Sequence, residues 1–227
     1  MKKFTLVFFL IFISNDLYSQ LSKVHYIPPL TAQDDPGDQW LYISTPSKTD
    51  VKYQLRVGGV TGATTDSGSI YSEGVVSNDS PSVISLANDP GNTNGWWSNL
   101  FVELDQTEQV LNKGFIIEAE SEVYVSVRMN SDGQQFQAGA LVSKGKSGLG
   151  TRFWAGMLQN QTALHVGFVS VMATEDQTVI SYNFSKDINT IGGEKKVGIP
   201  LLVTLDKGES YILASQEFQD GLIGTSI

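Results

Sequence analysis

Apolar residues recur at every second position along most of this chain, and the three-to-four-residue spacing of an amphipathic helix is nearly absent. The longest alternating run covers residues 115–129. Ile117, Ala119, Ser121, Val123, Val125 and Val127 fall on one face, with Glu118, Glu120, Glu122, Tyr124, Ser126 and Arg128 on the other. Shorter runs of the same kind lie at 40–44, 51–57, 82–86, 100–104, 137–142, 165–172, 178–182, 199–205 and 211–214. Turn-forming clusters separate them, among them Asp34-Asp-Pro-Gly-Asp38 and Asn88-Asp-Pro-Gly-Asn-Thr-Asn-Gly95. The pattern predicts an all-β protein of antiparallel β-sandwich-like units.

The units are expected in tandem, because the order of segments repeats. Ile43-Ser-Thr-Pro-Ser-Lys-Thr-Asp-Val51 has a counterpart in Met172-Ala-Thr-Glu-Asp-Gln-Thr-Val179. Val76-Ser-Asn-Asp-Ser-Pro-Ser-Val-Ile-Ser-Leu86 parallels Val203-Thr-Leu-Asp-Lys-Gly-Glu-Ser-Tyr-Ile-Leu213, and Lys113-Gly-Phe-Ile-Ile117 parallels Asp220-Gly-Leu-Ile-Gly224. In the first copy the last element runs on through Val123, Val125 and Val127. The expected organisation is therefore a leader at 1–19, a first β unit at 20–163, and the start of a second, similar and incomplete unit at 164–227.

The leader is read from Met1-Lys2-Lys3, an apolar stretch at 4–14, and a polar segment ending in the small residue Ser19. That order is the signature of a secretory signal peptide, with Gln20 as the first mature residue. The apolar stretch is too short to span a bilayer, and no later stretch is long enough, so no transmembrane helix is expected. Removing 1–19 takes away Lys2, Lys3 and Asp16 and leaves 13 basic against 23 acidic residues, a net charge of −10. Nucleic acid is thereby excluded as a partner, since binding it requires clustered Lys and Arg. The chain has no cysteine, so an exported protein of this kind must rest on an ordinary apolar core.

Candidate chemistry is sparse. A serine triad would have to use His25 or His165, neither of which lies beside a Gly-X-Ser-X-Gly elbow. Two separated histidines without cysteine do not compose a zinc site, and the acidic turns do not follow the EF-hand pattern. Glu118, Glu120 and Glu122 have the spacing of a glycosidase carboxylate pair, but a solvated strand face gives the same spacing. No catalytic residue, metal or cofactor is assigned. Two features fit binding better. Trp96-Trp97 lies in a polar loop, where one exposed indole could stack on a sugar or anchor a protein. Lys144-Gly-Lys-Ser-Gly-Leu-Gly-Thr-Arg152 is a glycine-rich loop whose Lys144, Lys146 and Arg152 could meet an acidic glycan or glycoprotein.

Several framework segments also carry a resemblance: Gly114-Phe-Ile-Ile-Glu-Ala-Glu-Ser-Glu-Val-Tyr-Val-Ser-Val-Arg128, Ala138-Gly-Ala-Leu-Val-Ser-Lys-Gly145, Gly148-Leu-Gly-Thr151, Val169-Ser-Val-Met-Ala-Thr-Glu-Asp-Gln-Thr-Val179 and Asp220-Gly-Leu-Ile-Gly-Thr225. Residues 21–227 resemble the N-terminal domain of IgG-Fc-binding-protein-like proteins, as found in large Bacteroidota surface proteins exported by type IX secretion. The resemblance implies a secreted or cell-surface location, on the outer-membrane exterior, and a non-enzymatic role of adhesion or matrix type. The expected partner is an extracellular glycan, mucin or glycoprotein. The alternative is a carbohydrate-binding accessory module of a secreted polysaccharide-degrading protein.

Overall fold

The computed structural model describes residues 20–32, 37–59, 68–86, 99–130, 138–162, 165–218 and 221–227. Nearly all of its regular structure is strand: β1 (Ser22–Ile27), β2 (Leu30–Thr31), β3 (Gln39–Ser44), β4 (Val51–Val57), β5 (Ile70–Val76), β6 (Ser82–Ser85), β7 (Phe101–Val102), β8 (Phe115–Asn130), β9 (Ala138–Val142), β10 (Gly167–Met172), β11 (Thr178–Tyr182), β12 (Ile188–Thr190), β13 (Gly193–Lys195), β14 (Leu201–Leu205) and β15 (Ser210–Ser215). The all-β, antiparallel class expected from the alternation is the class observed, with short parallel pairing between β2 and β7.

β8 organises the first half of the chain. Its start, from Phe115 to Ala119, is flanked by β4 and also pairs with β1. Further along, Tyr124 to Met129 pairs with β3, and β9 lies on the other side. β5 extends the layer beyond β4, and β6 extends the layer beyond β3. One bent strand is thus shared by two layers, and the sheet is nearly closed on itself. Ile117, Val123, Val125 and Val127 of β8 are buried in one cluster with Leu41 and Ile43 of β3, Leu55 of β4, and Leu86 just after β6. Each such side chain contributes about 1.5–3 kcal/mol on leaving water.

The chain crosses between layers by two arches. β3 turns into β4 and β5 turns into β6, and the arches are tied together where the Asn78 amide donates to the Ser47 carbonyl at 2.7 Å. The same arrangement recurs later. β10 pairs with β15 and β11 with β14, as β3 pairs with β6 and β4 with β5. Here too the arches are tied, by Gln177 N–H donating to Asp206 Oδ1 and Lys207 N–H donating to Asp176 Oδ1, both at 3.0 Å. The pairing of β10 with β15 and of β11 with β14 thus follows the same order as that of β3 with β6 and of β4 with β5.

The two halves share a seam. A small apolar cluster brings Val102 and Leu111 together with Ile212 and Ala214. Beside it, Glu108 N–H donates to the Ile212 carbonyl at 2.8 Å. The Glu108 carboxylate accepts from Gly192 N–H at 2.8 Å and from Lys195 Nζ at 2.9 Å. With the Glu108 side chain only 8% exposed, this ion pair is shielded from water far better than an ordinary surface pair.

Candidate binding surface

Directly after β9 the chain enters the glycine-rich basic loop, and its base is fixed by a buried histidine. His25 on β1 is fully buried, with Nε2 facing the carbonyls of Val123 at 2.9 Å and Ser22 at 3.1 Å. Carbonyls only accept, so Nε2 carries the proton and Nδ1 is the acceptor. Ser143 Oγ lies 2.9 Å from Nδ1 and donates to it, and the same oxygen accepts Gly145 N–H at 3.3 Å. Burial is the largest influence on the imidazole and pushes its pKa below the ordinary value, against the opposing effect of the two carbonyls. His25 is therefore a neutral fastener that pins the loop to β1 and β8.

Gly145 sits at φ +52°, and a Cβ there would collide with Ser22 Cβ and lie 3.4 Å from His25 Cε1. Only glycine allows this close approach. A 3-10 turn follows over Gly145–Gly148, closed by Ser147 N–H and its hydroxyl donating to the Lys144 carbonyl. Lys144, Lys146 and Arg152 are all exposed. The loop folds back so that Gly150 lies against the Phe153 ring.

After the loop, residues 153–155 form a short extended segment along the chain's last residues. Phe153 and Ile227 exchange backbone hydrogen bonds at 2.8 and 2.9 Å, and Ala155 N–H donates to Thr225 O at 2.8 Å. Strand alternation buries Ala155 and turns Trp154 outward. The indole is 65% exposed, and the two residues before it, Arg152 and Phe153, are exposed as well. Leu149 and Leu158 are exposed as well, Leu158 at 92%. Residues 144–158 thus join three cations to four exposed apolar side chains. Tryptophan and arginine are among the residues favoured at binding hot spots.

Of the residues singled out in the sequence, Lys144, Lys146 and Arg152 are exposed and fall within residues 144–158. Trp96 and Trp97 fall outside the described residues, as do Asp34 and Asp35 and the turn at 88–95. Among the described residues, Trp154 is an exposed indole that the sequence reading did not single out. Its side chain belongs to a segment too short to show alternation, and exposure of an aromatic ring is a tertiary property.

The acidic face of β8 lies elsewhere. Glu118 and Glu120 border an open hollow of about 610 Å³ with Lys52, Gln54 and Glu73. Arg56 Nε is 3.4 Å from Glu118 Oε2, and Arg56 also donates to Gln54 Oε1 at 2.8 Å. This is a solvated ion-paired sheet face, as the spacing of the glutamates equally allowed. Among the described residues no group of three metal-ligating side chains converges, and no helix is long and apolar enough to cross a membrane.

Comparison with known proteins gives one match. Residues 138–227 fit the family model described as IgGFc binding protein, so the resemblance read from the framework motifs is shown for that segment. No curated protein and no solved structure matches the chain. The matched segment begins at β9 and includes the whole of the 144–158 surface.

Proposed function

We propose that this chain is a secreted or cell-surface, non-enzymatic binding protein of adhesion or matrix type, which takes an extracellular glycoprotein or mucin on the surface formed by residues 144–158. The observation that carries the reading is the exposed Trp154 in the same short stretch of chain as the exposed Lys144, Lys146 and Arg152, within the segment that fits a binding-protein family. On a chain of formal net charge −9, this local cluster of cations attracts acidic groups such as sialylated or sulfated glycans only at short range. The indole adds an apolar anchor whose worth is independent of salt.

The second reading, a carbohydrate-binding accessory module, is favoured by the same indole, since an exposed aromatic face stacks on a sugar ring. An array that displays mucins, immunoglobulins, other glycoproteins and defined polysaccharides separates the two. Under the first reading residues 20–227 bind glycoproteins in a salt-sensitive manner, and changing Lys144, Lys146 and Arg152 together to Ala abolishes the signal. Binding restricted to one uncharged polysaccharide, lost on Trp154→Ala but insensitive to salt, would establish the accessory module instead.

A further inference from the structure

Beyond Glu122 the outward positions of β8 change character. Glu118 and Glu120 give way to Tyr124, Ser126 and Arg128, and the neighbouring strands change with them. In the layer formed by β6, β3, β8 and β9, Leu41, Ile43, Ile84, Val125 and Val127 point into the core. The alternate residues therefore share the outer face. Register sets Trp40 beside Arg128, and Tyr42 in a row with Val83 and Val142. Tyr124 stands opposite Ser44, one row further along. Val83, Tyr124, Val142 and Arg128 are exposed, and Trp40 and Tyr42 are half-buried. The outward face of an antiparallel sheet is ordinarily polar, as it is around Lys52, Gln54, Glu73 and Glu120 in the other layer. Here three successive rows each carry an aromatic ring. Arg128 lies over the Tyr42 ring, 4.7 Å from its centroid, a contact that keeps the guanidinium on the face. Among the described residues no carboxylate pairs with it.

Size and charge decide what such a face can take. Two row intervals of about 6.7 Å and three strand intervals of about 4.8 Å make it roughly 13 by 14 Å. That is on the order of 200 Å², well short of the ~800 Å² per partner that a stable protein interface buries. The face is too small to hold a folded protein or a second copy of this chain by itself. Nor does it favour an acid. Arg128 is offset by two exposed carboxylates at the margins, Asp38 two residues before Trp40 and Glu122 two residues before Tyr124. What fits is a small, flat, uncharged and amphipathic partner. A pyranose ring has that character, with C–H bonds on its face and hydroxyls around its edge. Its face lies on an aromatic ring, and its hydroxyl oxygens accept from the guanidinium, which can only donate.

We propose that the outer face of β6, β3, β8 and β9 is a platform for an uncharged saccharide chain, which stacks on Trp40, Tyr42 and Tyr124 and accepts hydrogen bonds from Arg128. The platform does not rest on the reading of residues 144–158, and the failure of either leaves the other standing.

The probes are uncharged hexasaccharides, namely cellohexaose, maltohexaose, xylohexaose and mannohexaose, titrated into residues 20–227 by calorimetry at low and at high salt. At least one should bind with an affinity that salt leaves unchanged, because no ion pair forms. Tyr42→Ala should weaken that binding at least tenfold. Tyr124 is exposed, so Tyr124→Ala leaves the core intact and should show a comparable loss at unchanged Tm, which separates lost stacking from lost folding. Tyr124→Phe, which keeps the ring, should keep the affinity, and Trp154→Ala should leave it unaltered. Failure of every probe to bind overturns the proposal, as does binding that survives both Tyr42→Ala and Tyr124→Ala or that is lost on Trp154→Ala instead. So does a concentration-dependent dimer of residues 20–227 that Tyr124→Ala breaks, since the face would then belong to a second copy.

Discussion

Acidifying the protein from pH 7.5 to pH 5 should weaken it, and His25 is the reason. The imidazole is neutral in the fold, with a pKa held below 6.5 by burial, whereas the unfolded chain titrates near 6.5. Between those two values the unfolded state binds a proton that the folded state refuses. The stabilisation is therefore complete above about pH 6.5 and is lost as pH falls toward the folded-state value, with a slope of at most ~1.4 kcal/mol per pH unit for one group. Protonation also places a second N–H on Nδ1, against Ser143 Oγ, which now donates to that nitrogen while accepting from Gly145. The exchange of Gly145 N–H should accelerate over the same range. Asp187 and Asp206 have pKa values below the ordinary 3.8 because of hydrogen bonds from Val197 and Gln177 respectively. Their contributions are present above 3.8 and fade only at lower pH, outside this window. Urea titrations of residues 20–227 at half-unit steps of pH, followed by circular dichroism, measure the slope, and His25→Gln supplies the control. A wild-type stability that is flat from pH 7.5 to 5, or a slope unchanged in His25→Gln, would refute the neutral-fastener account.

Two further substitutions probe the elements that hold the loop at 144–152 and the seam. Gly145→Ala forces a left-handed conformation on alanine and a collision with Ser22, costing at least ~1–2 kcal/mol, read as a fall in Tm of roughly 2–8 °C. Glu108→Ala strands Lys195 and the Gly192 amide in a shielded site. About 1.5–3 kcal/mol should be lost, measurable by urea denaturation, with Glu108→Gln recovering part through the Gly192 bond.

Strands that alternate cleanly were legible from the sequence. The runs at 51–57 and 178–182 coincide with β4 and β11, and 115–129 falls one residue short of β8. β1 was not legible, because its buried positions include Ser22 and His25 and its register shifts between Ser22 and Val24. β5 was missed for another reason: it is an outer strand that leaves Ile70 and Val75 in water, so no apolar face stands out. The run at 100–104 holds only the two strand residues of β7, followed by a 3-10 turn at Leu104–Gln106. Leu100, Phe101 and Val102 are all buried because this segment passes between two clusters, which erases alternation. In the stretch proposed to bind, the charges could be read directly, since Lys144, Lys146 and Arg152 stand out on an acidic chain. The contribution of Trp154 could not, because its exposure depends on pairing with Ser226, 72 residues later in the chain.

The central claim is that residues 144–158 are where a partner binds. The most direct measurement is hydrogen exchange of residues 20–227, free and saturated with a mucin or other glycoprotein found on the array, alongside the affinity of Trp154→Ala. Protection concentrated at 144–158, together with a loss of tenfold or more in affinity on Trp154→Ala at unchanged Tm, is the predicted result. Protection confined to other segments, such as the Glu118 and Glu120 face, with full affinity retained by Trp154→Ala, would contradict it.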